Sequence, residues 1–213
     1  ARGALWNRMG FPGSGAWSVK ENLHDIPRPW HTPVFINIGK NRTTPNEEAG
    51  RDYAECIAVL AGLADAFVIN ISSPNTQGLR DLLQPANLRR FLGGVRAARD
   101  GCSAPHTPIL LKLSPDLEDN DLRLAIETSL ELDIDGFIAT NTTLAREPGS
   151  PFPTEGGVSG QPLKQRSVAT LKKVAEILGR REGQSGDPNT GQSRNQSGGN
   201  DRNQDSQRDG KLL

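Results

Sequence analysis

Four short apolar runs punctuate the chain, and each surfaces on a polar residue. Pro33-Val34-Phe35-Ile36 leads to Asn37, Ala66-Phe67-Val68-Ile69 to Asn70, Pro108-Ile109-Leu110-Leu111 to Lys112, and Gly136-Phe137-Ile138-Ala139 to Thr140-Asn141-Thr142. Continuous apolar runs of this length read as strands buried on both faces. Between them the period changes to helical spacing, at Tyr53, Ile57 and Leu60, then Leu88, Leu92 and Val95, then Leu122, Ile126 and Leu130. Successive runs lie roughly 30 to 40 residues apart, the length of a strand, a crossover helix and their loops. The pattern predicts parallel β/α units. Thr44-Pro45-Asn46-Glu47 reads as a capping box with Pro at the first helical position. A further helix is expected over roughly 164–178, with Val168, Leu171, Val174 or Ala175, and Leu178 on its apolar face and Gly179 as its stop.

A parallel sheet with polar groups at its carboxyl ends is either doubly wound or a (β/α)8 TIM barrel. No G-x-G-x-x-G follows the first strand, and polar residues from four successive strands are offered to one mouth. The α/β class expected is therefore the barrel. A whole barrel takes about 250 residues, and only its central part, about four strands, is visible in these 213.

Lysine plus arginine and aspartate plus glutamate both number 25. With no basic stripe, nucleic acid is not the expected partner. No run approaches a membrane span, and the first residues lack a signal peptide's apolar core. Cys56 and Cys102 show no metal-ligand spacing and read as reduced thiols in a cytosolic-type environment; no metal is expected. From Arg181 to Lys211 there is no aliphatic or aromatic residue, so residues 180–213 are expected to form a disordered polar tail following a folded unit over 1–179. Both ends read as cut.

Asparagine presents a donor and an acceptor side by side, matching the edge of a cyclic imide such as a pyrimidine. Asn7, Asn70, Asn75 and Asn141 together would suit such a ring. Ser73, between Ser72 and Pro74, is open to reading as a base, a nucleophile or a turn residue. No G-x-S-x-G elbow surrounds it, and His24, His31 and His106 lie away from strand ends, which argues against a Ser-His-Asp hydrolase. As a base it would need to pass its proton on, with Thr142 as a candidate relay. Lys112 beside a buried strand calls for an anionic or electron-rich partner. A reduced flavin, a Schiff base or an ion pair with Asp116 would each serve. Gly156-Gly157-Val158-Ser159-Gly160 offers backbone N–H groups for close approach to a cofactor or phosphate.

Taken together, Asn7-Arg8-Met9-Gly10-Phe11, Asn37-Ile38-Gly39-Lys40-Asn41, Asn70-Ile71-Ser72-Ser73-Pro74-Asn75-Thr76, Lys112-Leu113-Ser114-Pro115-Asp116, Ala139-Thr140-Asn141-Thr142-Thr143 and the glycine-rich segment resemble the quinone-dependent (class 2) dihydroorotate dehydrogenases. The resemblance runs in order from residue 1 to about 179. It implies an FMN-dependent barrel that oxidises dihydroorotate to orotate in de novo pyrimidine (UMP) synthesis and returns the electrons to a membrane quinone. It makes Ser73 the base. Asn7, Arg8, Met9, Gly10, Phe11, Asn70, Asn75, Asn141 and Thr142 are then expected at the substrate, and Asn37, Asn70, Lys112, Thr140, Ser159 and Gly160 at the flavin. Relatives that are soluble usually carry Cys at the position of Ser73, which places the chain with the quinone class.

The departures from the family pattern are equally plain. On that pattern its first two barrel strands and membrane-associating N-terminal helices are expected to fall outside these 213 residues, and after Gly179 the polar tail stands where apolar strands ending in the FMN-phosphate motifs are due. Intact members sit peripherally on the cytoplasmic or mitochondrial inner membrane; without the anchor a cytoplasmic location is expected. Two alternatives follow: an inactive fragment or degenerate paralogue, or another FMN barrel oxidoreductase acting on a pyrimidine.

Overall fold

The computed structural model describes residues 3–73 and 79–184. Its main sheet has four parallel strands in sequential order, β2 (Phe35–Ile38), β3 (Ala66–Ile69), β4 (Ile109–Leu113) and β5 (Gly136–Ala139). The crossovers carry α2 (Ala49–Leu60), α3 (Pro85–Asp100) and α4 (Asp119–Glu131), which pack one against the next. Sequential strand order with neighbouring helices on one face is the wall of a β/α barrel; a doubly wound sheet reverses its order and covers both faces. The fold is thus part of a barrel. Two elements precede this wall, β1 (Ala4–Asn7) and α1 (Ala16–His24); β6 (Gly157–Gly160) and α5 (Gln161–Gln184) follow it.

Side chains alternate across a strand, so the register divides the sheet cleanly. Ile36, Ile38, Phe67, Ile69, Ile109, Leu111 and Leu113 lie on the outer face and form the core with Tyr53, Ile57, Leu88, Leu92, Val95, Leu122 and Ile126. Burying each such side chain contributes about 1.5–3 kcal/mol. The helix positions expected from the sequence are therefore the core, with Leu130 half-buried at its margin. The opposite parity, Phe35, Asn37, Val68, Leu110, Lys112 and Ile138, forms the inner face, where Phe35 is 53% exposed.

Three boundaries differ from the sequence reading. Asn37 and Lys112 lie within β2 and β4 rather than after them, because a polar side chain on the inner face leaves the backbone ladder intact. Thr44 makes no cap bond: a 3-10 turn over Asn46–Glu48 with Pro45 at its start precedes α2. The helix expected to stop at Gly179 runs on to Gln184, since a helical glycine costs only about 1 kcal/mol and nothing crowds it. On α5, Val174 is buried, but Val168 and Leu171 are 44% and 54% exposed. The remaining tail, 185–213, lies outside the described residues.

The strand starts repeat a single device. Asp65, just before β3, accepts the Val34 N–H through Oδ2 at 2.6 Å while its own N–H donates to the Val34 carbonyl at 2.9 Å. Asp135, just before β5, does the same to Ile109, at 2.7 and 3.0 Å. The motifs match: Pro33-Val34 with Asp65-Ala66-Phe67, and Pro108-Ile109 with Asp135-Gly136-Phe137. The wall is built of two like β-α-β units, with the aspartates setting the register of each strand pair. Asp135 also accepts from Arg99. Asp135→Ala should therefore cost about 1–2 kcal/mol in urea unfolding and Asp65→Ala about 1 kcal/mol; no loss in either would remove the aspartates from the register.

Candidate active site

The polar residues of the mouth are placed by strand parity. Asn37, Asn70 and Lys112 occupy the same side of successive strands, Asn70 directly after β3, and Thr140 directly follows β5. Lys112 is half-buried, and burial lowers its pKa from the usual lysine value. It makes no hydrogen bond or ion pair with another described residue. The ion pair with Asp116 that the sequence left open is not formed. Asp116 instead accepts from the Thr143 hydroxyl and from the Leu144 N–H at 2.9 Å, because its loop turns toward the segment after β5.

The end of β3 carries a network of hydrogen bonds. The Asn70 backbone N–H donates to Ile38 at 3.1 Å, and its carbonyl accepts from the Tyr53 hydroxyl at 3.1 Å. That hydroxyl also receives a backbone bond from Lys40, so one phenol from α2 ties the ends of β2 and β3 together. Burial drives the Tyr53 pKa far above that of a free phenol, keeping it a neutral donor. The Asn141 Nδ2 donates to Asn70 Oδ1 and to Ser72 Oγ, each at 3.1 Å, and Asn141 Oδ1 accepts the Thr142 N–H at 2.8 Å. Two carboxamides 71 positions apart thus meet at one point. Ser73, next along, is buried. Thr142 sends its bonds to Asn141, so the relay from Ser73 through Thr142 is not formed here. Thr140 donates to the Asn141 carbonyl at 2.9 Å. Asn75 lies outside the described residues.

The segment after β1 reaches β2. Phe11 has φ 59 and Gly10 φ 65, and the Phe11 ring lies so close to Gly39 that a Cβ there would stand 2.7 Å from Cζ. Gly10, Phe11, Asn37, Gly39 and Lys40 line a cavity of about 670 Å³ beside the β2 edge. Lys40, itself buried, spends its ammonium on the carbonyls of Thr44 at 2.8 Å and Asn41 at 3.3 Å. Cys56 also lines this cavity, but burial first, then Glu55 and Asp52, push its thiol up and away from thiolate chemistry.

Other expected site residues lie in the small sheet. Asn7, expected in a loop, closes β1 and pairs opposite Gly157, while Ser159 and Gly160 belong to β6 rather than to an open turn. The glycines fit because β1 comes too near for side chains: a Cβ on Gly160 would stand 2.2 Å from the Gly3 carbonyl oxygen and one on Gly156 2.6 Å from that of Asn7. Ser159 donates weakly to the Leu5 carbonyl at 3.5 Å. Val158 and Thr143 exchange backbone bonds at 2.9 and 3.0 Å, which fasten this sheet to the mouth. Arg8 pairs with Glu155, and Met9 is 65% exposed; neither faces the Asn70 corner through a described bond.

Sequence reasoning missed Ser72 and Tyr53. Ser72 read only as a flank of Ser73, and Tyr53 only as a core position. Tyr53→Phe should cost about 1–2 kcal/mol, because it strands the Asn70 carbonyl and the Lys40 N–H in a buried place; a melting curve superimposable on that of the unaltered chain would contradict this.

Known proteins show which family the chain is similar to. Residues 1–181 match the family model described as dihydroorotate dehydrogenase. The chain is similar to the dihydroorotate dehydrogenase (quinone) of Thermobifida fusca, 41% identical over 186 residues, covering 84% of this chain and 49% of that protein. To that of Streptomyces coelicolor it is 43% identical, covering 84% and 50%. The ligand-free crystal structure of DHODH from Eimeria tenella superposes with a TM-score of 0.75 at 30% identity, over 83% of this chain and 55% of that one. The chain spans about half the length of these relatives.

Proposed function

The chain belongs to the dihydroorotate dehydrogenase family, and we propose that it carries the central part of an FMN site at which dihydroorotate is oxidised to orotate, with a quinone as final electron acceptor, in UMP synthesis. The observation that supports this most is the inner-face placement of Asn37, Asn70 and Lys112 beside the Asn70–Asn141 pair. A half-buried ammonium without a described partner suits the electron-rich edge of a flavin. When bound, FMN supplies the acceptor for the hydride from C6 and passes the electrons on to quinone.

The chain's own residues do the rest. Asn37, Asn70, Lys112 and Thr140 hold the cofactor, with Ser159 and Gly160 toward its ribityl-phosphate side. Asn7, Asn70, Asn75, Asn141 and Thr142 hold the pyrimidine ring, with Arg8, Met9, Gly10 and Phe11 also on the substrate side. Ser73 takes the proton from C5. Its burial excludes bulk water from that proton, although a serine hydroxyl is a weak base and must hand the proton on. Among the described residues no helix is long and apolar enough to cross a membrane.

Because the chain spans half the length of its relatives, the test uses a chain completed with the remaining half of the Thermobifida fusca protein. Ser73→Ala should slow bleaching of the flavin by dihydroorotate by a hundredfold or more, while orotate affinity stays nearly constant. Bleaching at the unaltered rate would remove Ser73 from the mechanism, and failure of dihydroorotate to bleach the unaltered completed chain would overturn the substrate.

A further inference from the structure

The hydrogen bonds at the end of β3 fix which atoms the mouth can show a ligand. A backbone N–H can only donate. The Thr142 N–H therefore identifies the atom of Asn141 it meets at 2.8 Å as Oδ1, which leaves Nδ2 pointing the other way. That Nδ2 meets Asn70 at 3.1 Å, and the atom it meets must accept, so Asn70 turns Oδ1 toward Asn141 and Nδ2 away. The polarity of both carboxamides follows from one main-chain donor.

Ser72 closes the arrangement. It is fully buried, its Oγ accepts from Asn141 Nδ2 at 3.1 Å, and its proton is directed to Asn70 Oδ1 at 3.4 Å. A hydroxyl can accept from one group while donating to another, so Ser72 satisfies the second Asn141 proton and adds a donor to Asn70 Oδ1. The Asn70 carbonyl is held separately by Tyr53. Among the described residues Asn70 Nδ2 makes no hydrogen bond.

We infer that Ser72 is a positioning residue: it locks the Asn141–Asn70 pair so that Asn70 presents an NH2 donor to the ligand, and the mouth selects a ring that offers a carbonyl oxygen at that point. The ligand half of this statement rests on the orotate reading above; the locking half does not. Without Ser72, Asn141 loses an acceptor and Asn70 loses a donor, so the pair is held only by the Thr142 N–H and by the bond between the two amides. A serine with only a packing role would have no such effect, since alanine fills nearly the same space.

The test is Ser72→Ala, read in two ways. In the 15N-labelled 213-residue chain, the Asn141 side-chain amide signal, assigned by its disappearance in Asn141→Asp, should move upfield for one proton and exchange faster with water. In the completed chain, orotate should bind about tenfold more weakly. An unmoved Asn141 amide signal would overturn the positioning role, as would a shifted signal with unchanged orotate affinity. If the unaltered completed chain failed to bind orotate, the substrate reading would fall by itself, and the amide signal, which needs no ligand, would still decide whether Ser72 locks the pair.

Discussion

Strand parity governs this molecule. In a parallel sheet neighbouring residues point to opposite faces, and a slip of one position would exchange every core side chain for an inner-face one. Here the outer positions of all four strands are apolar and packed under α2, α3 and α4, so the register is held by the whole core. Asn37, Asn70 and Lys112 are consequently delivered to one side without any interaction among themselves having to bring them there. Asp65 and Asp135 hold the same register from the opposite end of the strands, through paired backbone bonds. The chemistry of the mouth is thus inherited from the packing beneath it.

Within that frame the Asn70 corner is built from neutral hydrogen-bonding groups, with the half-buried Lys112 on the same inner face. Tyr53, Ser72 and Asn141 converge on Asn70 and hold its carbonyl and its side-chain oxygen. A neutral network of this kind keeps its geometry without demanding a counter-ion, and in a buried corner each bond is costly to leave unmade. Lys112 differs: burial disfavours its charge, and no described side chain compensates it. The proposed flavin and orotate site rests on these preset amides and on this ammonium with no described partner.

Much of this was legible in the sequence because strands and barrel mouths are local patterns. The four apolar runs coincide with β2 to β5, and three of the residues that end them, Asn37, Asn70 and Lys112, share a face. The spacing of Tyr53, Ile57, Leu88, Leu92, Leu122 and Ile126 marked the core. What stayed hidden depended on contacts across the fold. Nothing in the chain announces that the Tyr53 hydroxyl reaches Asn70, or that Ser72 rather than a more distant residue receives Asn141. The capping box at Thr44 and the stop at Gly179 misled for a related reason, since both are local propensities worth about a kilocalorie that neighbouring structure readily overrides. Asn7 and the glycines of β6 read as open loops because antiparallel pairing between segments so far apart leaves no periodic signature.

The most direct measurement is titration of FMN into the completed chain, followed by quenching of flavin fluorescence, with Lys112→Met alongside. If the inner face is the flavin platform, one FMN binds per chain and the substitution weakens it at least tenfold, the value of about 1.4 kcal/mol. Equal affinity in the two proteins, or no FMN bound by either, would contradict the assignment of this face to the cofactor.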